Sequence, residues 1–206
     1  MVLYKNLANK YISKVYILTE ELYYFNKTVP TNEKNKLQQI VIQKRLTFKD
    51  SIEFINDNLS GKLVILANAD IYFDDTLARF YDHKKGEIIS LNNSVLALLK
   101  WRNSPADGAG ISISIRSDSQ DAWIFKAPLN SNVTMNSDFY LGAVRCDNRF
   151  AEILHSSGYN VINPAFSIHA IELQQRSQLY NGLYGTKGST FGESRDVLVS
   201  DNFLIE

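Results

Sequence analysis

The chain has a single cysteine, Cys146, among its 206 residues. One thiol closes no intrachain disulfide and builds no zinc–thiolate cluster, so the fold has to be held by its core. No apolar run approaches the roughly 18 residues that span a bilayer. The opening stretch with Lys5, Lys10 and Lys14 lacks the uninterrupted apolar centre of a signal peptide. A soluble, cytoplasmic protein is the expectation, and the Asn-x-Ser/Thr triplets at Asn26, Asn58 and Asn132 then read as chance matches. Neither sign of charge is in excess: 22 Lys and Arg face 22 Asp and Glu, for a formal net charge of +0. That balance removes the bulk attraction a nucleic-acid binder relies on, while leaving room for a local basic pocket. The aromatic residues form no basic, aromatic stripe for single strands either. Also missing are a Gly-x-x-x-x-Gly-Lys loop, a Gly-x-Ser-x-Gly elbow and a His-Glu-x-x-His helix, which sets aside P-loop enzymes, serine hydrolases and zinc proteases.

What is present is a globular composition, 45% hydrophobic and 12% aromatic. A chain of this length buries about 70% of its extended surface on folding. No internal repeat or composition break marks a second domain, so residues 1–206 read as one domain, with 171–206 as a flap and C-terminal tail. Val15–Leu18 is a β-prone run ending in the polar Thr19-Glu20-Glu21, and Ile40-Val41-Ile42 is a second. Thr47–Leu59 places Phe48, Ile52, Phe54, Ile55 and Leu59 near helical spacing, with Gly61 as its stop. Lys62–Ala67 is the most continuous strand signal. Strand, helix and strand in that order predict βαβ units and an α/β fold with a central, mostly parallel mixed sheet flanked by helices.

Further on, Asp75–His83 reads as a short helix and Glu87–Leu91 as a strand. Leu96–Trp101 is ambiguous between strand and helix, and Asn103–Gly110 is a loop. Ala122–Phe125 is a buried strand closed by Pro128. Arg149–Ser157 is a helix ended by Gly158. Val161-Ile162 and Ala165–Ile168 read as short strands, Gln174–Glu193 as a Gly-rich loop or flap, and Val197–Val199 as a terminal strand.

Chemistry concentrates where apolar strands end. Leu63–Ala67 delivers Asn68 and Asp70, and positions i and i+2 of an extended segment share a face. Two hard oxygen donors together suit Mn²⁺ or Mg²⁺, whereas Asp74 and Asp75 read as caps of the following helix. His169 ends another apolar stretch and is either a ligand or a satisfied structural histidine. His83 and His155 lie in polar surroundings. Asp121, directly before a buried strand, is suited to accept hydrogen bonds from sugar or nucleophilic hydroxyls, or to fix its own turn. Asp147 or Asn148 reads as the N-cap of the Arg149 helix, and Cys146 as a small buried residue.

The motifs Asn68-Ala69-Asp70-Ile71-Tyr72-Phe73-Asp74, Ser119-Gln120-Asp121-Ala122-Trp123-Ile124-Phe125 and Cys146-Asp147-Asn148, followed by His169, resemble in their order the GT-A (Rossmann-like) fold of nucleotide-sugar glycosyltransferases. The resemblance covers most of residues 13–170. It is narrower still to the small capsid-glycosylating domains of chlorella viruses. It implies a metal-dependent transferase in which Asp70 and His169 hold Mn²⁺ or Mg²⁺ against the diphosphate of a UDP-sugar. Asn68 stands where the first Asp of Asp-x-Asp would be, to contact ribose or metal. Thr19 and Glu20 fall at the nucleobase position, with Arg45 as a base or phosphate contact. Asp121 falls where donor-sugar hydroxyls are read, Asp147 with Asn148 near the anomeric carbon, and Lys187 in a flap over the diphosphate. The implied acceptor is a glycan or glycoprotein such as a viral capsid glycan, in the host cytoplasm.

An inverting reaction would use Asp121 or Asp147 as base. The His169 metal site and the Asp147-Asn148 turn resemble the retaining pattern, which is the one favoured. A sugar nucleotidyltransferase is the nearest alternative enzyme, although it usually carries a Gly-rich basic loop where Thr19–Tyr23 is acidic and aromatic. The missing first Asp also keeps open a noncatalytic carbohydrate-binding domain.

Overall fold

The structure, a computed structural model, describes residues 1–25, 33–82, 87–89, 91–104, 110–173 and 192–201. Helix α1 (Val2–Ala8) precedes strand β1 (Val15–Thr19), which pairs in parallel with β2 (Leu37–Val41). Helix α2 (Phe48–Asn58) begins at Thr47 with a reciprocal cap. The Thr47 hydroxyl accepts from the Asp50 N–H, and the Asp50 carboxylate accepts from the Thr47 N–H, both at 3.1 Å. Such caps stabilise a helix by about 1 kcal/mol. Gly61, at φ +76, follows and turns the chain into β3 (Leu63–Ala67).

Two four-stranded sheets stack with α2 over the first and α1 against the second. The first has the order β11-β7-β10-β3, with β7 at Ser94–Leu98, β10 at Ala122–Lys126 and β11 at Asn160–Ile162. The second has the order β4-β12-β8-β9, with β4 at Ile71–Phe73, β8 at Lys100–Asn103, β9 at Ile111–Ile113 and β12 at Ala170–Leu173. A short ribbon joins β5 (Tyr81–Asp82) to β6 (Glu87–Ile88).

Strand alternation sorts the core into layers. On β10, Trp123 and Phe125 face α2, α3 (Ser131–Asn136) and α4 (Cys146–Ser156), and pack with Phe48, Ile52, Phe150 and Leu154. Phe150 is fully buried, stacked on Phe48 at 4.4 Å and edge-on to Trp123 at 4.8 Å. Ala122 and Ile124 point the other way, against Ile71, Phe73 and Ala170 of the second sheet and Ile168 just before it. Each of the buried Leu, Ile and Phe side chains contributes about 1.5–3 kcal/mol, so the first sheet is fixed from both faces. The outer face of the second sheet gathers Tyr72, Ile171 and Leu173 with Val2 of α1.

The chain is α/β, as its periodicity predicts, but not mostly parallel. Among the described residues three strand pairings are parallel and five antiparallel. The β2–α2–β3 run does not close a parallel pair, because β3 takes β10 as an antiparallel neighbour. Several local expectations shift. Leu96–Trp101 is two strands that change sheets at Leu99, whose N–H donates to the Asn163 side chain at 3.1 Å. Asp75–Phe80 is a 3-10 helix capped by Asp74, and Ala165–Ile168 is a turn rather than a strand. Helix α4 begins at Cys146, so Asp147 and Asn148 lie inside its first turn; its N-cap is Arg145, in a left-handed conformation at φ 61. The expected tail from residue 171 is also corrected. Ile171, Glu172 and Leu173 are buried in β12, which sits inside the second sheet because the alternation Ile171, Leu173 feeds its outer core.

Candidate functional site

Because β10 runs antiparallel to β3, the start of one lies beside the end of the other, with Ala122 opposite Ala67. The Asn68 N–H donates to the Asp121 carbonyl at 3.1 Å, and the Asn68 side-chain amide donates to Asp121 Oδ1 at 3.2 Å. The Asp121 N–H in turn donates to Leu98 O at 2.9 Å, which seats the residue between β3 and β7. One residue past Leu99 the chain has entered the second sheet, and Lys100 reaches back. Its ammonium donates to Asp121 Oδ1 at 3.2 Å and to Glu172 Oε1 at 2.8 Å. Arg102, two residues on and so on the same face of β8, brings Nε to 3.7 Å from Glu172 Oε2.

This charged group is largely buried: Asp121 and Glu172 are each 8% exposed. Burial opposes the charge on Lys100, but Asp121 and Glu172 outweigh it and hold the ammonium above its ordinary pKa. Asp70 lies close enough to feel the same charges. Burial, then the negative charge of Glu172, pushes its carboxyl up. It arrives by a different route from the one its spacing predicts: residues 69 and 70 form a turn closed by Ile71 N–H to Asn68 O at 3.1 Å, not an extended continuation of β3.

The cluster forms one wall of an open cleft of about 830 Å³, within the range of sites that hold a small organic ligand. Asn68, Lys100, Arg102, Asp121 and Glu172 line it, Arg116, Asp118, Ser119 and Gln120 continue the polar side, and Phe48, Leu141, Ala143 and Val144 supply an apolar side. The remaining oxygen of Asp121, Oδ2, has among the described residues only Ser119 Oγ, donating at 3.5 Å. Two side-chain oxygens at the cleft, Gln120 Oε1 and Glu172 Oε2, are buried without a hydrogen-bond partner. Such atoms are uncommon and mark places where polar groups have been held back from local pairing.

Asp147 also lines the cleft but is committed differently. Its Oδ2 accepts from the Gln120 N–H and its Oδ1 from the Asn148 N–H, both at 3.0 Å. Burial, helped by Asp121, nonetheless pushes its carboxyl up against those two donors. It ties the 117–121 loop to α4. Asn148 holds the returning chain, its amide donating to Arg195 O at 3.2 Å and to Asp196 Oδ1 at 3.3 Å. Cys146 is buried as its residue type predicts, and burial with Asp147 beside it pushes the thiol up to about 11.

The other expected site residues lie elsewhere. Thr19 Oγ1 donates to Ile40 O at 3.4 Å and accepts from Gln39 Nε2 at 3.2 Å, which fastens β1 to β2. Glu20 is exposed, and Arg45 lies over the Tyr140 ring at 4.6 Å. None of the three lines the cleft. Lys187 and His83 fall outside the described residues.

The pairing of Asp70 with His169 as metal ligands is not what the chain builds. Strand β12 runs antiparallel to β4, with Ala170 opposite Phe73 and Glu172 opposite Ile71. Asp70 therefore lies past one end of this ladder and His169 past the other, four residue steps and roughly 13 Å along an extended strand. His169 Nδ1 is bound instead to Asp74 Oδ2 at 2.8 Å, and its ring packs on Trp101 at 4.9 Å. Among the described residues no three His, Cys, Asp or Glu side chains gather as a metal cluster. The donor set proposed for Mn²⁺ or Mg²⁺ thus does not fit.

Sequence reasoning passed over Lys100, Arg102, Gln120 and Glu172. A usable signal existed for two of them. Glu172 is the only charge in Ala170-Ile171-Glu172-Leu173, and Lys100 directly follows an apolar run.

No protein-family model, curated protein or solved structure matches the chain. No helix among the described residues is long and apolar enough to cross a membrane.

Proposed function

We propose that the protein is a nucleotide-sugar glycosyltransferase of GT-A type, moving a sugar from a UDP-sugar to a hydroxyl of a glycan or glycoprotein. The observation that carries this reading is Asp121: a buried carboxylate with one oxygen fixed by Asn68 and Lys100 and the other turned to a cleft lined by Lys and Arg. A carboxylate locked in this way is oriented for one proton and loses little freedom on binding.

The geometry favours inversion over retention. Retention rested on a His169 metal site and on the Asp147-Asn148 turn. His169 is paired with Asp74, both Asp147 oxygens accept backbone N–H groups, and the Asn148 amide holds Arg195 and Asp196. Asp121 remains as the base. In the proposed step the acceptor hydroxyl gives its proton to Asp121 Oδ2 as its oxygen bonds to the anomeric carbon. The bond from that carbon to the diphosphate oxygen breaks, and its electron pair leaves with uridine diphosphate. Cationic side chains of the polar wall meet the charge that develops there.

Calorimetric titration with uridine diphosphate and a donor-hydrolysis assay test the reading. Binding together with release of uridine diphosphate from a UDP-sugar supports it. Release of pyrophosphate instead marks a nucleotidyltransferase. No binding and no turnover leave a noncatalytic carbohydrate-binding domain.

A further inference from the structure

We propose that Lys100 is the cation of this site, taking the place that a divalent metal fills in metal-dependent transferases, so that donor diphosphate is bound without a metal ion. The inference rests on the transferase reading and adds to it a specific phosphate contact and independence from metal.

An ammonium carries three N–H donors. Asp121 Oδ1 and Glu172 Oε1 occupy two of them, and the third is uncommitted among the described residues. The Lys100 side chain is 20% exposed and lines the cleft, so an incoming phosphate oxygen can reach it. Arg102, on the same face of β8, is 44% exposed and among the described residues makes only the 3.7 Å approach to Glu172. Together the two present a point charge and a planar fork side by side, the complement of two phosphate oxygens.

The same contacts work against a metal ion. Mg²⁺ needs oxygen ligands at about 2.0–2.1 Å, and the carboxylate oxygens best placed to supply them already hold the ammonium. To enter, the ion would have to expel a positive charge from between two buried carboxylates. Among the described residues Glu172 Oε2, with Arg102 at 3.7 Å, and Gln120 Oε1 on the same polar side are left without a hydrogen-bond partner.

The test is calorimetric titration of uridine diphosphate into the protein, first in EDTA and then with Mn²⁺. The expected dissociation constants agree within about threefold, because EDTA cannot remove a side chain. Binding that is lost in EDTA and restored by Mn²⁺ overturns the Lys100 assignment and leaves the transferase reading standing. Absence of binding in both conditions overturns both. Lys100→Met is expected to weaken binding in EDTA at least tenfold and Lys100→Arg to stay within a few-fold; unchanged binding in a folded Lys100→Met protein also refutes the assignment. The double substitution Lys100→Met with Glu172→Gln removes the pair together and keeps the test open if the single variant fails to fold. It too is expected to lose binding tenfold, and full binding by it counts against the proposal.

Discussion

Two polar clusters lie at opposite ends of the β4–β12 ladder, and they are built on opposite terms. At one end Asp74 accepts from the Thr76 N–H at 3.0 Å and from the Thr76 hydroxyl at 2.5 Å, and pairs through Oδ2 with His169 Nδ1. The His169 N–H donates back to Thr76 Oγ1 at 3.0 Å. The cluster closes on itself and caps a 3-10 helix. At the other end Asp121, Lys100 and Glu172 hold one another, but among the described residues they leave a carboxylate oxygen with one 3.5 Å contact, a spare ammonium proton and a Glu172 oxygen that has Arg102 at 3.7 Å but no hydrogen bond. Self-satisfaction marks structure, and incomplete pairing beside a cleft marks a place for a ligand. The cluster with the histidine is the closed one.

The largest effect expected from this contrast is at Asp121. Asp121→Asn keeps an oxygen for Asn68 and Lys100 but replaces the open carboxylate oxygen with an amide. Transfer should fall about 10²–10⁴-fold, as for loss of a general base, with uridine diphosphate affinity within a few-fold of wild type. A variant that keeps its turnover breaks the assignment of the open cluster as the reactive one. Asp147→Asn supplies the contrast inside the cleft. It loses one of two backbone acceptors and should cost about 1–3 kcal/mol of stability in urea unfolding, while turnover per folded molecule stays near wild type. A large drop in turnover without a stability loss would transfer the catalytic role to Asp147.

The difference between the clusters also shows what a sequence can and cannot disclose. The apolar strand Leu63–Ala67, the helix after Thr47 and the buried strand before Pro128 were legible because each is decided by its own apolar run or spacing. Asp121 was legible for a similar reason: a polar residue at the mouth of a buried strand stands out. Lys100 and Glu172 were not, because their meaning comes from register. Only the pairing of Ala170 with Lys100 across β8 and β12 sets the lysine beside a glutamate 72 positions later. His169 misled for the same cause. Its neighbour is fixed by the antiparallel match of β12 to β4, which delivers Asp74 and not Asp70.

His169→Gln probes the closed cluster directly. Loss of the Asp74 contact should lower stability by about 1 kcal/mol and leave uridine diphosphate binding within twofold. If binding collapsed, the two clusters would be one functional unit and the contrast between them would fail.

The smallest effect, and the one most specific to the comparison, is in the sign of pH dependence at the two ends of β4. Asp70 is pushed above its ordinary 3.8 by burial and by Glu172. Its protonated form therefore suits the fold, and the stability it contributes is present below 3.8 and lost as pH rises through the raised value. Asp74 is the reverse. Burial works to raise it, but the two Thr76 donors and His169 prevail and hold it below 3.8. Its contribution is present above 3.8 and lost as pH falls through the lowered value. Urea midpoints measured from acid to neutral pH should thus separate the two variants. Asp70→Asn gains on the wild type as pH rises past 3.8, because it has no charge to bury. Asp74→Asn loses most at neutral pH and converges on the wild type in acid. Two curves of the same slope would mean that the ends of the ladder carry the same kind of carboxylate, and the division into an open and a closed cluster would lose its electrostatic basis.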